Sequence, residues 1–557
     1  MKRLFCFNLY LALVAVLVMG TNQPLTAQSD AEFEPGVVVS IASLDEHFSD
    51  IEHVLEASGN GQFAGLVRVF TADYVRGIDA DKPIGAMIFF NEENPEEPDF
   101  MGFVPVTDIE DVLDTLAPYV DIEDEDDDYV LTLEGTAVTV RVIDGYAFVV
   151  ADTEMLERVP SNPVQMLKDL PTRFNVGARV FGQNIPESLR DQVIEVIRSG
   201  AEDEMGNFDG PELEMQRANL EYLMGQMEAF VNETEELVIG FCVDQDNERL
   251  YMDLEMVGLE GSHLARQSEG FRDSPKTRFG GFINKDATGS FNFCAKMLEE
   301  DIKQLNDFLE QMERSGKELI ERDSDEMSEQ EVMSANKILA SIFGVLQASA
   351  KLGFMDAAGS GVMDENELKL VMGMAIQEGA KLEESLKEVA KLAEAEGDDL
   401  VEFNFDVSSE GGIRYHQITL MVPAEEEEAR QLLGEELEIL LGVSDDAAYV
   451  AMGEGSQAML KQSISGSAPQ LEEGVFMQGS FHLLPVMRFF SRVQDAEQLA
   501  DIIDALPETD NDMMQMSMRV VENGQNFRFE MQDEILQILT AIGQQVAGGG
   551  FAPPSDF

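Results

Sequence analysis

Tryptophan is absent and cysteine is rare, since only Cys6, Cys242 and Cys294 occur in 557 residues. The five histidines are scattered along the chain, so neither a zinc site nor a disulfide framework is indicated. Basic residues are also scarce, because 37 Lys and Arg oppose 108 Asp and Glu and leave a formal net charge of −71 at pH 7. A field of this sign repels phosphates and anionic headgroups, which makes nucleic acid and anionic lipid surfaces poor partners.

Long apolar runs are missing beyond the N-terminus. There, Lys2 and Arg3, the apolar stretch Leu4–Met19 and the cleavage-site residues Leu25–Ala27 match a secretory signal peptide that covers residues 1–27. No later stretch reaches the ~18 apolar residues that a membrane span needs. We therefore expect an exported protein, periplasmic or extracellular, with no integral membrane span in its mature chain.

The two cysteines that would remain after cleavage allow two interpretations. Export favours disulfides, so Cys242 and Cys294 could pair. Both also lie in strand-like runs, VIGFCVD and SFNFCAKM, where buried thiols are equally expected. The sequence leaves the two states open.

Catalytic and cofactor-binding motifs are missing as well. The chain has no G-x-S-x-G elbow, no H-E-x-x-H, no phosphate-binding loop and no C-x-x-C. Residues 59–64 fit a loose G-x-G-x-x-A pattern, but they follow a predicted helix, whereas dinucleotide binding requires a preceding strand. We therefore assign no catalytic or cofactor-binding residue, and a protein without enzymatic activity is the first expectation.

The clearest fold signal lies in residues 354–394. From Leu368 to Gln377 apolar and other residues alternate with the period of a strand. After Gly379 the period changes, because Leu382, Leu386 and Val389 line one stripe of a helix. Together with the preceding apolar run and the polar turn at residues 364–367, the pattern predicts strand, turn, strand and helix.

The same stretch contains a candidate calcium loop. Asp356, Ser360, Asp364 and Glu367 fall at positions 1, 5, 9 and 12 of an EF-hand. Position 3 is Ala358, which supplies no ligand oxygen, and the exit helix would have to carry the alternating pattern that begins at Leu368. The β-hairpin is the competing interpretation, so calcium is a weak expectation and no other cofactor is indicated.

A second acidic segment, residues 121–128, contains seven Asp and Glu side chains. Such a run could gather calcium loosely, although a solvated turn is the commoner role.

The order strand, turn, strand, helix occurs twice. Residues 84–90 and 100–106 are strand candidates, and a helix follows with Thr107 and Glu110 as a capping box. This arrangement matches residues 354–394, about 270 residues further on, and a repeat at a fixed separation indicates duplication. Later segments also correspond: residues 137–151 with 437–452, 176–197 with 475–493, and 237–256 with 514–531.

These correspondences divide the chain into two related halves. We expect a first half at residues 28–262, a polar linker at 263–277, a second half at 278–547 and a disordered tail at 548–557. The second half has a helical hairpin inserted at about 296–352, and an acidic helix is predicted at Ala424–Leu433. The insertion could pack on its own sheet or bind a partner.

Alternating strands in hairpins, followed by amphipathic helices, predict an α+β fold: two tandem related halves of antiparallel sheet with helices on one face. Each half contains a tyrosine strand before a short helix, Asp144-Gly145-Tyr146-Ala147 in one and Ala447-Ala448-Tyr449-Val450-Ala451 in the other. With its export signal, this layout resembles uncharacterised exported bacterial proteins with a duplicated α+β architecture. The resemblance implies location and architecture, and it carries no activity and no site residue.

The functional expectation is an exported, non-catalytic envelope protein that binds a partner protein or an apolar ligand. Its supporting feature is methionine, since the chain has 30 Met and flexible thioethers suit adaptable apolar surfaces. Those on predicted strands are Met372, Met374, Met513, Met514, Met516 and Met518.

Two alternative functions remain. One is a hydrolase in which His416 or His482 meets a carboxylate and a serine such as Ser480 only in the folded chain. The other is a calcium-dependent adhesion or matrix protein.

Overall fold

The computed structural model describes residues 34–547 with short gaps. The gaps are residues 92–93, 96, 134, 161, 206–209, 285, 364–366, 397–399, 424–429, 431–432, 467–472, 494–502, 504–505, 507–508 and 510. The predicted signal peptide, the predicted tail and most of the predicted helix Ala424–Leu433 lie outside the described residues.

The chain forms two compact units. The first unit comprises the residues up to Glu195 together with Phe230–Leu259. The second unit comprises Val196–Ala229 and the residues from Glu260 onward. Residues 196–229 thus belong to the second unit, although the sequence predicts a division near residue 262. The described strands of each unit pair antiparallel with one another, and we refer to each set of strands as the sheet of its unit. The predicted α+β class is therefore confirmed for the described residues.

The first unit is built on ten described strands. They are β1 (Val37–Ile41), β2 (Ile84–Phe89), β3 (Asp99–Pro105), β4 (Asp121–Glu125), β5 (Asp128–Leu133), β6 (Thr136–Ile143), β7 (Tyr146–Val150), β8 (Val176–Phe181), β9 (Thr234–Asp244) and β10 (Arg249–Gly258). Their pairing gives the order β4-β5-β6-β7-β3-β2-β1-β8-β9-β10, with every pair antiparallel.

Helices of this unit follow strand ends. They are α1 (Leu44–Ala57), α2 (Val67–Thr71), α3 (Ile109–Leu116), α4 (Pro163–Met166) and α5 (Leu170–Arg173). Two further helices, α6 (Glu187–Met205) and α7 (Gly210–Glu233), lie between β8 and β9, and most of their residues fall in the second unit. Helix α3 begins at Asp108, whose side chain accepts a hydrogen bond from the Glu110 N–H. The predicted cap Thr107 is therefore one residue early, because the Asp108 carboxylate satisfies the free N–H group.

The core of the first unit lies mainly on one face of its sheet. Leu167 and Leu170 are fully buried there against Phe103, Phe148 and Val238. On the opposite face, α3 packs Leu113 against strands β5–β7, and α1 packs Leu44 and Phe48 near Ile84. Among the described residues, no core cluster includes the side chains that β8, β9 and β10 direct to this second face.

The second unit also has ten described strands. They are β11 (Gly289–Lys296), β12 (Phe354–Met363), β13 (Leu368–Ala375), β14 (Val401–Glu410), β15 (Ile413–Met421), β16 (Glu436–Val443), β17 (Ala447–Met452), β18 (Val475–His482), β19 (Met513–Val521) and β20 (Gly524–Gln532). They pair in the order β14-β15-β16-β17-β13-β12-β11-β18-β19-β20, again antiparallel throughout.

The helices of the second unit are α8 (His263–Arg272), α9 (Glu299–Arg322), α10 (Glu329–Ala350), α11 (Gly379–Glu396), α12 (Ser456–Ser465), α13 (Leu483–Val493) and α14 (Ile535–Ala547). Phe279, Phe282 and Leu460 form a buried cluster with residues of β12–β17. Val345 of α10 and Leu382 of α11 pack with Met374 and Ala448.

Residues 354–394 adopt the predicted strand, strand and helix as β12, β13 and α11. Strands β12 and β13 form an antiparallel pair in which Ala357 lies opposite Met374 and Met363 lies opposite Leu368. The hairpin prediction is therefore confirmed. The segment after residue 366 is a strand, so it is not the exit helix of a calcium loop.

Two segments differ from expectation. The predicted linker contains α8, because Ser262 caps its N-terminus and Leu264 and Ala265 are buried. The predicted helical insertion corresponds to α9 and α10 between β11 and β12, and helices α1 and α2 occupy the same place between β1 and β2. Both units therefore have helices at this position, and those of the second unit are longer. The sequence had predicted an inserted helical hairpin in the second unit only.

Within the described part of the chain, no helix is both long enough and apolar enough to cross a membrane.

Candidate functional site

The first sheet carries an apolar surface on strands β1, β8, β9 and β10. Directly paired residues form three rows across these strands. We call this surface the apolar face, and its residues are Val37, Val39, Ile41, Val176, Ala178, Val180, Leu237, Ile239, Phe241, Met252, Leu254 and Met256. Every position in this grid is hydrophobic, whereas a water-facing side of an antiparallel sheet normally alternates to polar residues.

Several side chains of the apolar face are open to solvent. Ile239 and Met252 are 42% exposed, and Phe241 is 40% exposed. With strands ~4.8 Å apart and rows ~6.8 Å apart, the grid covers on the order of 300 Å². Exposed apolar patches of this size commonly mark interaction sites.

The opposite side of the same strands is charged and buried. Arg179 of β8 is only 3% exposed. Its Nη2 lies 2.5 Å from Asp169 Oδ1, and its Nε lies 2.9 Å from Glu236 Oε1. Arg173 bonds Asp169 and Glu255 with distances of 3.0 and 2.6 Å. The ion pairs therefore lie beneath the sheet, on the side away from the apolar face.

Asp169 is the centre of this network. Partial burial opposes ionisation of Asp169, but hydrogen bonds from Arg179 and Arg173 outweigh it and lower the pKa of that carboxyl to about 2. The network thus holds β8 against α5 through charge-assisted hydrogen bonds from Arg179 and Arg173 to Asp169.

The second sheet has a comparable surface that is rich in methionine. On β19, Met514, Met516 and Met518 alternate with Gln515 and Ser517, so the methionines share one face. Met372 and Met374 lie on β13 as predicted, and Met513 lies on the opposite face of β19 from Met514. The strand positions of the predicted methionines are confirmed.

Three of the four calcium candidates fall within the described residues, two on β12 and one just before β13. Asp356 is buried in β12, and its Oδ2 accepts a hydrogen bond of 2.9 Å from the Arg278 N–H. Ser360 is also buried in β12, and Glu367 pairs with Lys369. Asp364 lies outside the described residues. Among the described residues, no group of three or more His, Cys, Asp or Glu side chains is arranged to hold a metal ion.

The acidic run 121–128 forms the β4–β5 hairpin. Its last residue, Asp128, bonds Arg141 with distances of 2.5 and 2.6 Å, and these bonds hold the pKa of Asp128 below its usual value. The sequence did not indicate this partner, because cross-strand pairs depend on the register of β5 with β6.

Both cysteines of the described chain are free thiols, Cys242 in the first unit and Cys294 in the second. Burial and the neighbouring Asp356 carboxylate raise the pKa of Cys294 to about 12. Burial also raises the pKa of Cys242. Both thiols are therefore protonated at neutral pH, which makes them poor nucleophiles.

The two candidate histidines do meet carboxylates. His416 is fully buried, and its Nε2 lies 3.2 Å from Glu383 Oε1 while its Nδ1 accepts the Asp406 N–H. His482 Nδ1 lies 2.7 Å from Asp512 Oδ1. Neither histidine has a serine among these contacts.

Ser480, the nucleophile that the hydrolase alternative needs, bonds another serine. Its hydroxyl lies 3.1 Å from that of Ser290 on β11. A serine–histidine–carboxylate relay requires the hydroxyl within hydrogen-bond reach of the imidazole. The described contacts bring together only the histidine and the carboxylate.

A small, partly open cavity lies beside Arg278. It measures about 70 Å³ and is lined by Arg278, Phe279, Phe282, Tyr449 and Ile464. Sites for small organic molecules are several times larger, roughly 300–1,000 Å³. This cavity therefore has room for water and little else.

Comparisons with protein-family models, with curated proteins and with solved structures find no match for this chain. Function must therefore be inferred from the surfaces described above.

Proposed function

We propose that this protein is exported, acts without catalysis and binds the acyl chains of an uncharged or zwitterionic lipid on the apolar face of its first sheet. The observation that carries the proposal is the row Val176, Phe241 and Met252, which is apolar, solvent-exposed and outside every core cluster of the described residues.

The composition of the face favours a lipid over a protein partner. Protein interfaces carry about one hydrogen bond per 100–200 Å². The apolar face has no side-chain donor or acceptor, and the backbone groups of its strands pair within the sheet. A ligand without polar groups along its length fits this surface best.

The energy available to such a ligand is substantial. Burying each methylene contributes ~0.8 kcal/mol, so ten methylenes give ~8 kcal/mol before the cost of immobilising the chain. That gross value corresponds to a dissociation constant of about 1 μM.

The charge of the protein restricts the headgroup. A formal net charge of −71 repels anions over about a Debye length, ~10 Å at 0.1 M salt. We therefore expect neutral, zwitterionic or cationic amphiphiles to bind more tightly than anionic ones of the same chain length.

Export rests on the residues that match a signal peptide at 1–27. We also propose that the units arose by duplication. Numbered within its unit, each sheet has the strand order 4-5-6-7-3-2-1-8-9-10, and helices follow the first, third and eighth strands in both. Independent origin of one ten-strand order is improbable, which supports a common ancestor.

The test is binding of a fluorescent zwitterionic lipid to the full chain. The double variant Ile239→Gln, Phe241→Gln should weaken binding by about tenfold or more, because two exposed apolar contacts are replaced by amides. The matched control is Val69→Gln, Phe70→Gln on α2, whose side chains are 69% and 53% exposed.

Equal losses in the two double variants would mean that exposed apolar residues bind the probe without specificity. No binding by the unaltered chain would reject the proposal. Native mass spectrometry of protein purified from its own source provides the second measurement, because a retained lipid supports carriage and a retained protein chain supports assembly instead.

A further inference from the structure

Three methionines lie at neighbouring positions on one face of two paired strands of the second sheet. Met477 of β18 is directly paired with Met518 of β19, and Met516 is directly paired with Gly479. Directly opposed residues of antiparallel strands have Cβ atoms about 4.5–5.5 Å apart, and diagonal neighbours lie within reach of long side chains. The side chains of Met477, Met516 and Met518 therefore lie on one face and can meet.

Gly479 leaves room for the side chain of Met516 on this face of β18. A Cβ atom added there would lie 3.3 Å from Met516 Cγ and 3.8 Å from Met516 Sδ. The Met516 thioether thus lies over the backbone of β18, next to Met477. A larger residue at position 479 would occupy the space where the sulfur now lies.

The three methionine side chains lie at a partly open surface. They are partly exposed, and none belongs to a core cluster among the described residues. Their neighbours on the same face are aromatic or methionine: Phe481 and Met531 flank Met514, and Phe527 and Phe529 flank Met518 and Met516. The residues named here thus supply soft sulfur and aromatic faces, and none of them carries a carboxylate or an imidazole.

Ligand type selects the metal. Thioethers are soft, neutral donors that favour Cu(I), whereas Ca²⁺, Mg²⁺ and Mn²⁺ prefer carboxylate and carbonyl oxygens. Three unbranched side chains with three rotatable bonds each can adjust to a trigonal arrangement of sulfurs. The excess of acidic residues over the whole chain also raises the local concentration of any cation.

From this geometry we infer that Met477, Met516 and Met518 form a binding site for a soft monovalent cation, Cu(I). The site needs no residue of the apolar face and is independent of lipid binding.

The test uses Ag(I), a redox-stable cation of the same charge and softness, added to the full chain and followed by native mass spectrometry. One ion should be retained. The triple variant Met477→Leu, Met516→Leu, Met518→Leu keeps side-chain volume and apolarity but removes the sulfurs, so its affinity should fall by at least about tenfold.

The matched control is Met333→Leu, Met355→Leu, Met421→Leu, three methionines that are 68%, 44% and 37% exposed. The control should retain the ion with unchanged affinity. Competition with a chromogenic Cu(I) chelator should rank the three proteins in the same order, and Zn²⁺ or Ca²⁺ should not displace the silver.

Equal retention by the triple variant and the control, or no retention by the unaltered chain, would overturn the inference. Should the triple variant unfold, the single variant Gly479→Leu provides the second route, since it blocks the Met516 thioether and should lower the affinity alone. Lipid binding is measured separately. It should be unchanged in the triple variant, because leucine preserves an apolar surface.

Discussion

Phe241 and Met252 are directly opposed on β9 and β10, and both side chains are about two-fifths exposed although neither has a polar neighbour in its row. Val238, three residues before Phe241, is 1% exposed on the other side of β9, whereas the next residue, Ile239, is 42% exposed on the same side as Phe241. Consecutive residues of β9 thus lie on opposite sides of the sheet. Substituting each in turn distinguishes an effect on stability from an effect on ligand binding.

The contrast between Val238 and Ile239 is the first prediction. Val238→Ala removes two buried methyl groups and leaves a cavity, so it should lower the free energy of unfolding by about 2 kcal/mol. Ile239→Thr keeps a β-branched residue at an exposed position, so it should change the free energy of unfolding by less than about 0.5 kcal/mol. Urea-induced unfolding measures both. Equal costs would show that the apolar face is buried in solution.

The second prediction concerns the thiols. A pKa of about 12 leaves Cys294 almost wholly protonated at pH 8. Reagents that react with the thiolate form should therefore modify Cys294 about 10³-fold more slowly than an unperturbed thiol. Cys242 is less buried and should react first. The measurement is the time course of modification by a chromogenic disulfide, with the urea-unfolded chain as control. Two unreactive cysteines after unfolding would instead indicate a disulfide.

The third prediction concerns calcium. Since Asp356 is held by the Arg278 N–H within a strand, we expect Ca²⁺ at ~1 mM, a concentration that saturates many extracellular modules, to leave the melting temperature unchanged. Calorimetric titration and thermal melting measure this. Heat that disappears in Asp356→Ala would restore the calcium-loop interpretation, whereas Glu454→Ala is the exposed acidic control.

Local periodicity predicted much of the second unit. The alternation from Leu368 and the stripe of Leu382 and Leu386 are properties of neighbouring residues, and they gave β13 and α11 within a few residues. Helix α8 was missed because its apolar residues are few. Its signal was Ser262, which accepts a hydrogen bond from the Ala265 N–H.

Distant pairings could not be predicted. Asp356 is buried because residue 278 supplies a donor, and Arg179 is buried because residues 169 and 236 supply carboxylates. The apolar face had no sequence signal of its own. Strands that are hydrophobic on both sides, such as β1, normally indicate burial on both sides, and only the fold shows that one side is open.

The fourth prediction concerns Asp512. This carboxylate is 1% exposed, bonds His482 through Oδ1 and accepts the Leu484 N–H through Oδ2 with a distance of 2.7 Å. Asp512→Ala leaves a buried N–H without an acceptor and should lower the free energy of unfolding by about 1–3 kcal/mol. Asp512→Asn keeps an acceptor oxygen and should lose less. Urea unfolding measures both, and equal losses would contradict the role of the Leu484 hydrogen bond.

The last prediction is a pH dependence. The folded-state pKa of Asp169, about 2, lies below the ~3.9 of an unfolded aspartate. Its carboxylate therefore stabilises the fold fully above the unfolded pKa, and this contribution is lost as the pH falls from about 4 towards 2. Because the side chain is 45% exposed, solvent screening reduces the expected contribution to about 1 kcal/mol.

Asp169→Asn should accordingly be less stable than the unaltered chain at neutral pH, and the difference should shrink below about pH 4 and be almost absent near pH 2. Urea unfolding at a series of pH values measures it. Glu187→Gln, which removes an exposed carboxylate of α6, should stay within about 0.5 kcal/mol throughout. A difference for Asp169→Asn that stays constant down to pH 2 would show that the amide disturbs packing, and that the ion pairs with Arg173 and Arg179 are not what holds α5 on the sheet.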